Sequence, residues 1–155
     1  MKEIVLLGST GSIGNNTLDV ISKNPDLFRV KGITANSNIK KLIEQTYKFS
    51  PEYVSVFDEK KNIEFRKLIS KKVKVLPPGV EGICELIEIS KPDIVLSAIS
   101  GAVGLLPIIT AVKNSRRVCI ANKEPMVMAG DIIVGLAKKN DVEIIPVDSE
   151  PSAIF

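Results

Sequence analysis

Hydrophobic and polar positions along this chain switch repeatedly between a strand-like and a helix-like period. Ile4-Val5-Leu6-Leu7 is continuously apolar, as expected of a strand covered on both faces. It runs into Gly8-Ser9-Thr10-Gly11-Ser12-Ile13-Gly14. Ile13, Thr17, Leu18 and Ile21 then recur at helical spacing from Ser12 to about Lys23, where Asn24-Pro25-Asp26 stops the helix. Phe28 to Ala35 reads as a second strand. Asn38 caps a helix whose apolar positions are Ile39, Leu42, Ile43 and Tyr47, closed by Ser50-Pro51. A strand from Tyr53 to Phe57 precedes a charged helix from Glu59 to about Ser70 with Phe65, Leu68 and Ile69 inward. A short strand from Lys72 to Leu76, a helix from Val80 to about Ser90 and a strand from Asp93 to Ala98 follow. Beyond the loop from Ser100 to Gly104 come a helix to about Lys113, a strand from Arg117 to Ile120, a helix from Glu124 to about Lys139 and a strand from Glu143 to Val147.

This succession predicts an α/β fold: a doubly wound, mostly parallel, Rossmann-like sheet of about seven strands with helices on both faces. Ligands of such sheets collect outside the carboxyl ends of the strands. Four loops are expected to meet there, at 8–14, 36–38, 97–104 and 122–124.

Composition narrows the picture. The 155 residues are 45% hydrophobic and 25% charged, an ordinary globular make-up of single-domain length. The net charge of +3 comes from scattered lysines and predicts no nucleic-acid partner. No signal-peptide pattern opens the chain. The uncharged stretch 94–112 approaches membrane-spanning length, but Ser97, Ser100, Gly101, Gly104 and Pro107 divide it, so it reads as a buried strand, a loop and an apolar helix. No membrane partner is expected. Cys84 and Cys119 each sit in an apolar run, which suits buried thiols in a reducing compartment and points to a cytoplasmic location. With no histidine in the chain, acid–base work falls to Lys, Asp, Glu, Tyr or Cys, and a metal would need oxygen ligands.

A strand that ends in a glycine-rich turn and opens a helix offers backbone N–H groups and a positive helix end to an anion. Glycines at 8, 11 and 14 give G-x-x-G-x-x-G, which serves either as an ordinary tight turn or as a phosphate cradle; its place in the first strand–helix unit favours a dinucleotide. Domains for NAD usually carry Asp or Glu at the end of the second strand to bind the ribose hydroxyl. Here the sequence is Ala35-Asn36-Ser37-Asn38, with Lys40 and Lys41 just beyond, so NADP is favoured, although Asn38 also makes sense as a simple helix cap. Ala121-Asn122-Lys123-Glu124-Pro125 opens a helix after a strand, and Lys123 is either a surface lysine or a cleft cation. In extended chain, Asp148 and Glu150 point to the same side, which suits a hard divalent cation or simply a polar strand end.

The glycine turn, Ala121-Asn122-Lys123-Glu124, Met128-Ala129-Gly130 and Pro146-Val147-Asp148-Ser149-Glu150, with Gly104-Leu105-Leu106-Pro107 between them, together resemble the 1-deoxy-D-xylulose 5-phosphate reductoisomerases over the whole chain. The resemblance implies an NADPH- and Mg²⁺- or Mn²⁺-dependent enzyme. It would rearrange and reduce the phosphosugar 1-deoxy-D-xylulose 5-phosphate to 2-C-methyl-D-erythritol 4-phosphate in non-mevalonate isoprenoid biosynthesis, as a homodimer. It places Thr10, Gly11, Ser12 and Ile13 at the pyrophosphate, Asn36, Ser37 and Asn38 at the 2′-phosphate end, and Asn122 and Glu124 toward the nicotinamide. Lys123 and Ser149 match substrate contacts, and Asp148 and Glu150 match metal ligands, Glu150 also touching substrate; Lys123 and Glu150 are the catalytic candidates. The chain departs from the family at Asn36-Ser37, where Gly and a basic residue are common, at Pro125 (Ser) and at Pro151 (His). The first departure shifts the expected 2′-phosphate contact toward Lys40 or Lys41.

Residues 1–147 are therefore expected to form an NADPH-binding domain and 148–155 to begin a catalytic domain whose remainder lies outside this sequence, so that the chain alone is inactive. The alternatives are a non-catalytic nucleotide-binding or interaction module, and a small NADP-dependent carbonyl reductase of another family using Lys123 as its acid.

Overall fold

A computed structural model describes residues 1–69 and 72–147. Seven strands form one sheet in the order β4-β3-β2-β1-β5-β6-β7. They are β1 (Lys2–Leu7), β2 (Phe28–Ala35), β3 (Tyr53–Val56), β4 (Lys74–Val75), β5 (Ile94–Ser97), β6 (Arg117–Ile120) and β7 (Glu143–Pro146). Every pairing is parallel, where the sequence predicted a mostly parallel sheet. The helices are α1 (Ser12–Lys23), α2 (Ile39–Phe49), α3 (Glu59–Leu68), α4 (Gly79–Ser90), α5 (Leu105–Asn114) and α6 (Glu124–Asn140).

The central strand shows why its sequence is apolar throughout. Ile4 and Leu6 face one side, in a core with Leu18, Ile21, Ile33, Leu42 and Phe65; Val5 and Leu7 face the other, with Leu86, Ile87, Val95, Ile108 and Ile133. Successive strand side chains point to opposite faces, so a strand buried on both sides must be apolar at every position. The first core lies under α1, α2 and α3, the second under α4, α5 and α6. From β1 the chain winds outward through β2 and β3 to edge strand β4, then returns through α4 to β5 on the other side of β1. The winding direction reverses between β1 and β5, opening a crevice at their carboxyl ends.

Two predicted faces differ. Tyr47 is exposed, and the buried arc of α2 is carried by Ile39, Leu42, Gln45 and Thr46 instead. Leu68 is likewise exposed, and α3 buries Asn62 with Phe65. Each buried amide is held by hydrogen bonds, which removes the penalty that made hydrophobicity alone a misleading guide. Asn62 Nδ2 donates to the carbonyls of Val56 and Leu76. Cys84 and Cys119 are free and half-buried, and desolvation pushes both thiols up from their ordinary value. Among the described residues no helix is long and apolar enough to cross a membrane.

Candidate functional site: a cleft at the strand-order reversal

The glycine turn leaves β1 with Gly8 in the left-handed region at φ +81°. A Cβ there would lie 2.8 Å from the Ala98 carbonyl oxygen, so β1 can meet the loop after β5 this closely only through glycine. Gly8 N and Ser9 N both donate to the Thr34 carbonyl at the end of β2, at 3.1 and 2.8 Å. Gly14, inside the first turn of α1, would set a Cβ 2.5 Å from the Gly8 and Ser9 carbonyl oxygens. Gly11 is different. Its backbone is ordinary extended chain at the N-cap of α1, and a Cβ there meets only the Gly8 oxygen at 3.5 Å. The fold does not require glycine at 11, where the missing side chain leaves the main chain open to close approach.

The turn fills one wall of a cleft of about 360 Å³. Gly8, Thr10 and Gly11 form that wall; Thr34, Ala35 and Asn36 come from the end of β2, and Ala98, Ile99 and Ser100 from the loop after β5. Phe57, Ile83 and Val103 complete an apolar floor and side, and no wall residue is charged. Favourable charge comes from the positive end of α1. Helices α2 and α3 are closed by side chains, with Asn38 Oδ1 accepting from Lys41 N (3.2 Å) and Asp58 Oδ1 from Lys61 N (2.8 Å). Helix α1 has no such cap, which leaves its first-turn N–H groups for an anion. The Thr10 and Ser12 hydroxyls make no hydrogen bond within the described residues and remain available.

Of the residues expected to meet the cofactor, Thr10, Gly11 and Asn36 line the cleft, and Ser12 and Ile13 follow at the start of α1. Ser37 and Asn38 are exposed just beyond Asn36. The Asn38 oxygen is taken by its cap, so its amide nitrogen is the group it can present outward. Lys41 lies instead in the groove between α1 and α2, beside Asp19 and Glu44, while Lys40 is exposed. Asn122 Nδ2 donates to the Ile99 carbonyl and so ties the loop after β6 to the cleft wall. Lys123 and Glu124 are exposed at the start of α6, outside the walls. Asp148, Ser149 and Glu150 lie outside the described residues. Among those described, no three carboxylate, cysteine or histidine side chains come together as a metal site.

Sequence reasoning pointed to the loops, Val103 among them, but not to Phe57 and Ile83 as cleft residues, since an apolar wall looks like core in a sequence. It also missed Gln45. That side chain is buried, accepts from Ser9 Oγ (2.7 Å) and donates to the Ser9 carbonyl (2.9 Å).

Residues 4–130 match the sequence model of the 1-deoxy-D-xylulose 5-phosphate reductoisomerase family. The whole chain is 51% identical to a 1-deoxy-D-xylulose 5-phosphate reductoisomerase of Thermodesulfovibrio yellowstonii and covers 40% of it. The chain thus spans well under half the length of the curated relatives it matches. The reductoisomerase of Zymomonas mobilis in complex with NADPH superposes with a TM-score of 0.90 at 30% identity, over 96% of this chain and 39% of that one. A DOX-P reductoisomerase in complex with NADPH, fosmidomycin and magnesium gives 0.90 at 32% identity, over 97% and 37%.

Proposed function

The chain belongs to the 1-deoxy-D-xylulose 5-phosphate reductoisomerase family, and from that premise we propose that residues 1–147 are the NADPH-binding domain of such an enzyme, with 148–155 leading into its catalytic domain. The observation that carries this reading is the uncharged cleft at the strand-order reversal, walled by a helix end with no side-chain cap and by a β2 terminus with no carboxylate.

The residues fit the cofactor. Thr10, Gly11, Ser12 and Ile13 hold the pyrophosphate, through the Thr10, Ser12 and Ile13 N–H groups, the Thr10 and Ser12 hydroxyls, and close approach at Gly11, where a Cβ would meet only the Gly8 oxygen at 3.5 Å. Asn36, Ser37 and the Asn38 amide meet the 2′-phosphate with charge from Lys40; the absence of Asp or Glu there removes the repulsion that would favour NAD. Asn122 and Glu124 reach the nicotinamide half, Asn122 held in place by its bond to Ile99. When bound, NADPH supplies a hydride, and a divalent cation supplies polarisation of the substrate's ketone oxygen. Lys123 and Ser149 orient the phosphosugar, and Asp148 and Glu150 are the carboxylates for the cation. These four assignments rest on the family resemblance. The whole enzyme then converts 1-deoxy-D-xylulose 5-phosphate to 2-C-methyl-D-erythritol 4-phosphate in the cytoplasm as a homodimer.

Titration with NADPH and with NADH tests the cofactor assignment. Binding of NADPH with at least tenfold preference is expected. No binding of NADPH, or a preference for NADH, overturns it.

A further inference from the structure

Gln45 sits on α2, with no part in the cleft wall, yet it is 7% exposed and every polar atom of its side chain is engaged. Its Oε1 accepts from the hydroxyl of Ser9, which is wholly buried. Its Nε2 donates to the Ser9 carbonyl and to Asn15 Oδ1, at 2.9 and 3.2 Å. Asn15 Nδ2 in turn donates to the carbonyls of Thr10 and Gly11. The carbonyls of three consecutive loop residues are thereby turned toward one carboxamide and the amide it orients. The consequence is electrostatic. A peptide unit carries its N–H opposite its C=O, so pinning the Ser9 and Gly11 carbonyls inward directs the Thr10 and Ser12 N–H groups the opposite way, while Gly11 N closes the turn on the Gly8 carbonyl (3.3 Å); a flipped peptide would present a negative oxygen to the ligand.

We infer that Gln45 is a positioning residue for cofactor binding, which through the Ser9 carbonyl and Asn15 fixes the glycine loop in the orientation that accepts a diphosphate. The inference rests on the proposed NADPH-binding role. Gln45 meets a demand few side chains can: an acceptor for the Ser9 hydroxyl and two donors for the Ser9 and Asn15 oxygens in one planar group. Glutamate keeps the acceptor and loses both donors, and methionine keeps the length and loses all three bonds.

The test compares NADPH with adenosine 2′-monophosphate, which carries the 2′-phosphate and lacks the diphosphate, on the wild-type chain and on the variants Gln45→Met, Gln45→Glu and Asn15→Ala. Melting curves are recorded for each. Folded variants are expected to bind NADPH about tenfold more weakly while adenosine 2′-monophosphate stays within twofold of wild type. Because Asn15 is only half-buried, Asn15→Ala decides the matter if the Gln45 variants do not fold. Unchanged NADPH affinity in the folded variants, or a parallel loss for both ligands, overturns the positioning role. Failure of the wild-type chain to bind NADPH overturns the cofactor assignment itself.

Discussion

The three glycines of the first turn do different work, and alanine substitution separates them. At Gly14 a methyl group would meet two backbone oxygens at 2.5 Å, and backbone can move only by shifting the helix start. Gly14→Ala is therefore expected to cost about 1–3 kcal/mol in denaturant unfolding. At Gly11 the backbone is already in a region open to alanine and the nearest atom is 3.5 Å away. Gly11→Ala should leave stability unchanged or raise it by roughly 0.4–1 kcal/mol through the unfolded chain, while NADPH affinity falls at least tenfold, because the methyl group stands where the ligand must approach. The cysteines give a pH prediction. Desolvation raises both thiols, with Arg117 partly opposing it at Cys119, so the fold keeps its protons at pH values where the unfolded chain has lost them. The thiols' contribution to stability is constant below about pH 8 and falls as pH rises through the ordinary thiol range, a slope that replacing both cysteines by alanine should reduce. The glycine turn is legible in a sequence because its spacing is local, although the approach of Ala98 to Gly8 is not. Gln45 is not, since its role depends on a partner 36 residues away.

Helix starts form two kinds in this fold. Asp58 and Asn38 each satisfy an N–H of the first turn, so Asp58→Ala should lower stability by about 1 kcal/mol with NADPH affinity unchanged, as read by parallel unfolding and fluorescence titrations. Helices α1, α4, α5 and α6 begin without a side-chain cap, and of these starts it is the α1 N-cap, Gly11, that lines the cleft. The caps were visible as Asn and Asp before periodic segments, and the missing cap as a glycine. Helix faces were harder to read. Tyr47 and Leu68 are apolar-looking residues at nearly helical spacing, yet they lie at the rim of their arcs and face solvent, whereas Asn62 and Gln45 go inside because carbonyls wait for them there. Hydrophobic periodicity finds a helix reliably; it does not find the buried polar group that a nearby loop demands. Helix α6 carries a further irregularity at Ala129, where φ −150° and ψ 31° interrupt the helical path within Met128-Ala129-Gly130.

For the molecule as a whole, ligand binding and stability are one measurement. NADPH at a hundredfold excess over its dissociation constant should raise unfolding stability by about 2.7 kcal/mol, and a chelator should leave that increment unchanged, because no cleft wall residue is a metal ligand. The sheet order was legible in outline. Strand–helix alternation gives a parallel sheet, and the glycine turn places β1 next to the crevice. What the alternation does not contain is which strands neighbour β1. That depends on α4 carrying the chain from the β4 edge back across the sheet. The return has a cost in time. Leu6 pairs with Ile33 on one side, but its other neighbour, Leu96, is 90 residues downstream. While the chain emerges from the ribosome, one edge of the apolar strand Ile4–Leu7 has no partner until β5 has been made. The strand that leads into the glycine turn is thus the first synthesised but is completed only after β2 and β3, and until then it presents an open hydrophobic edge of the kind that chaperones and neighbouring nascent chains bind.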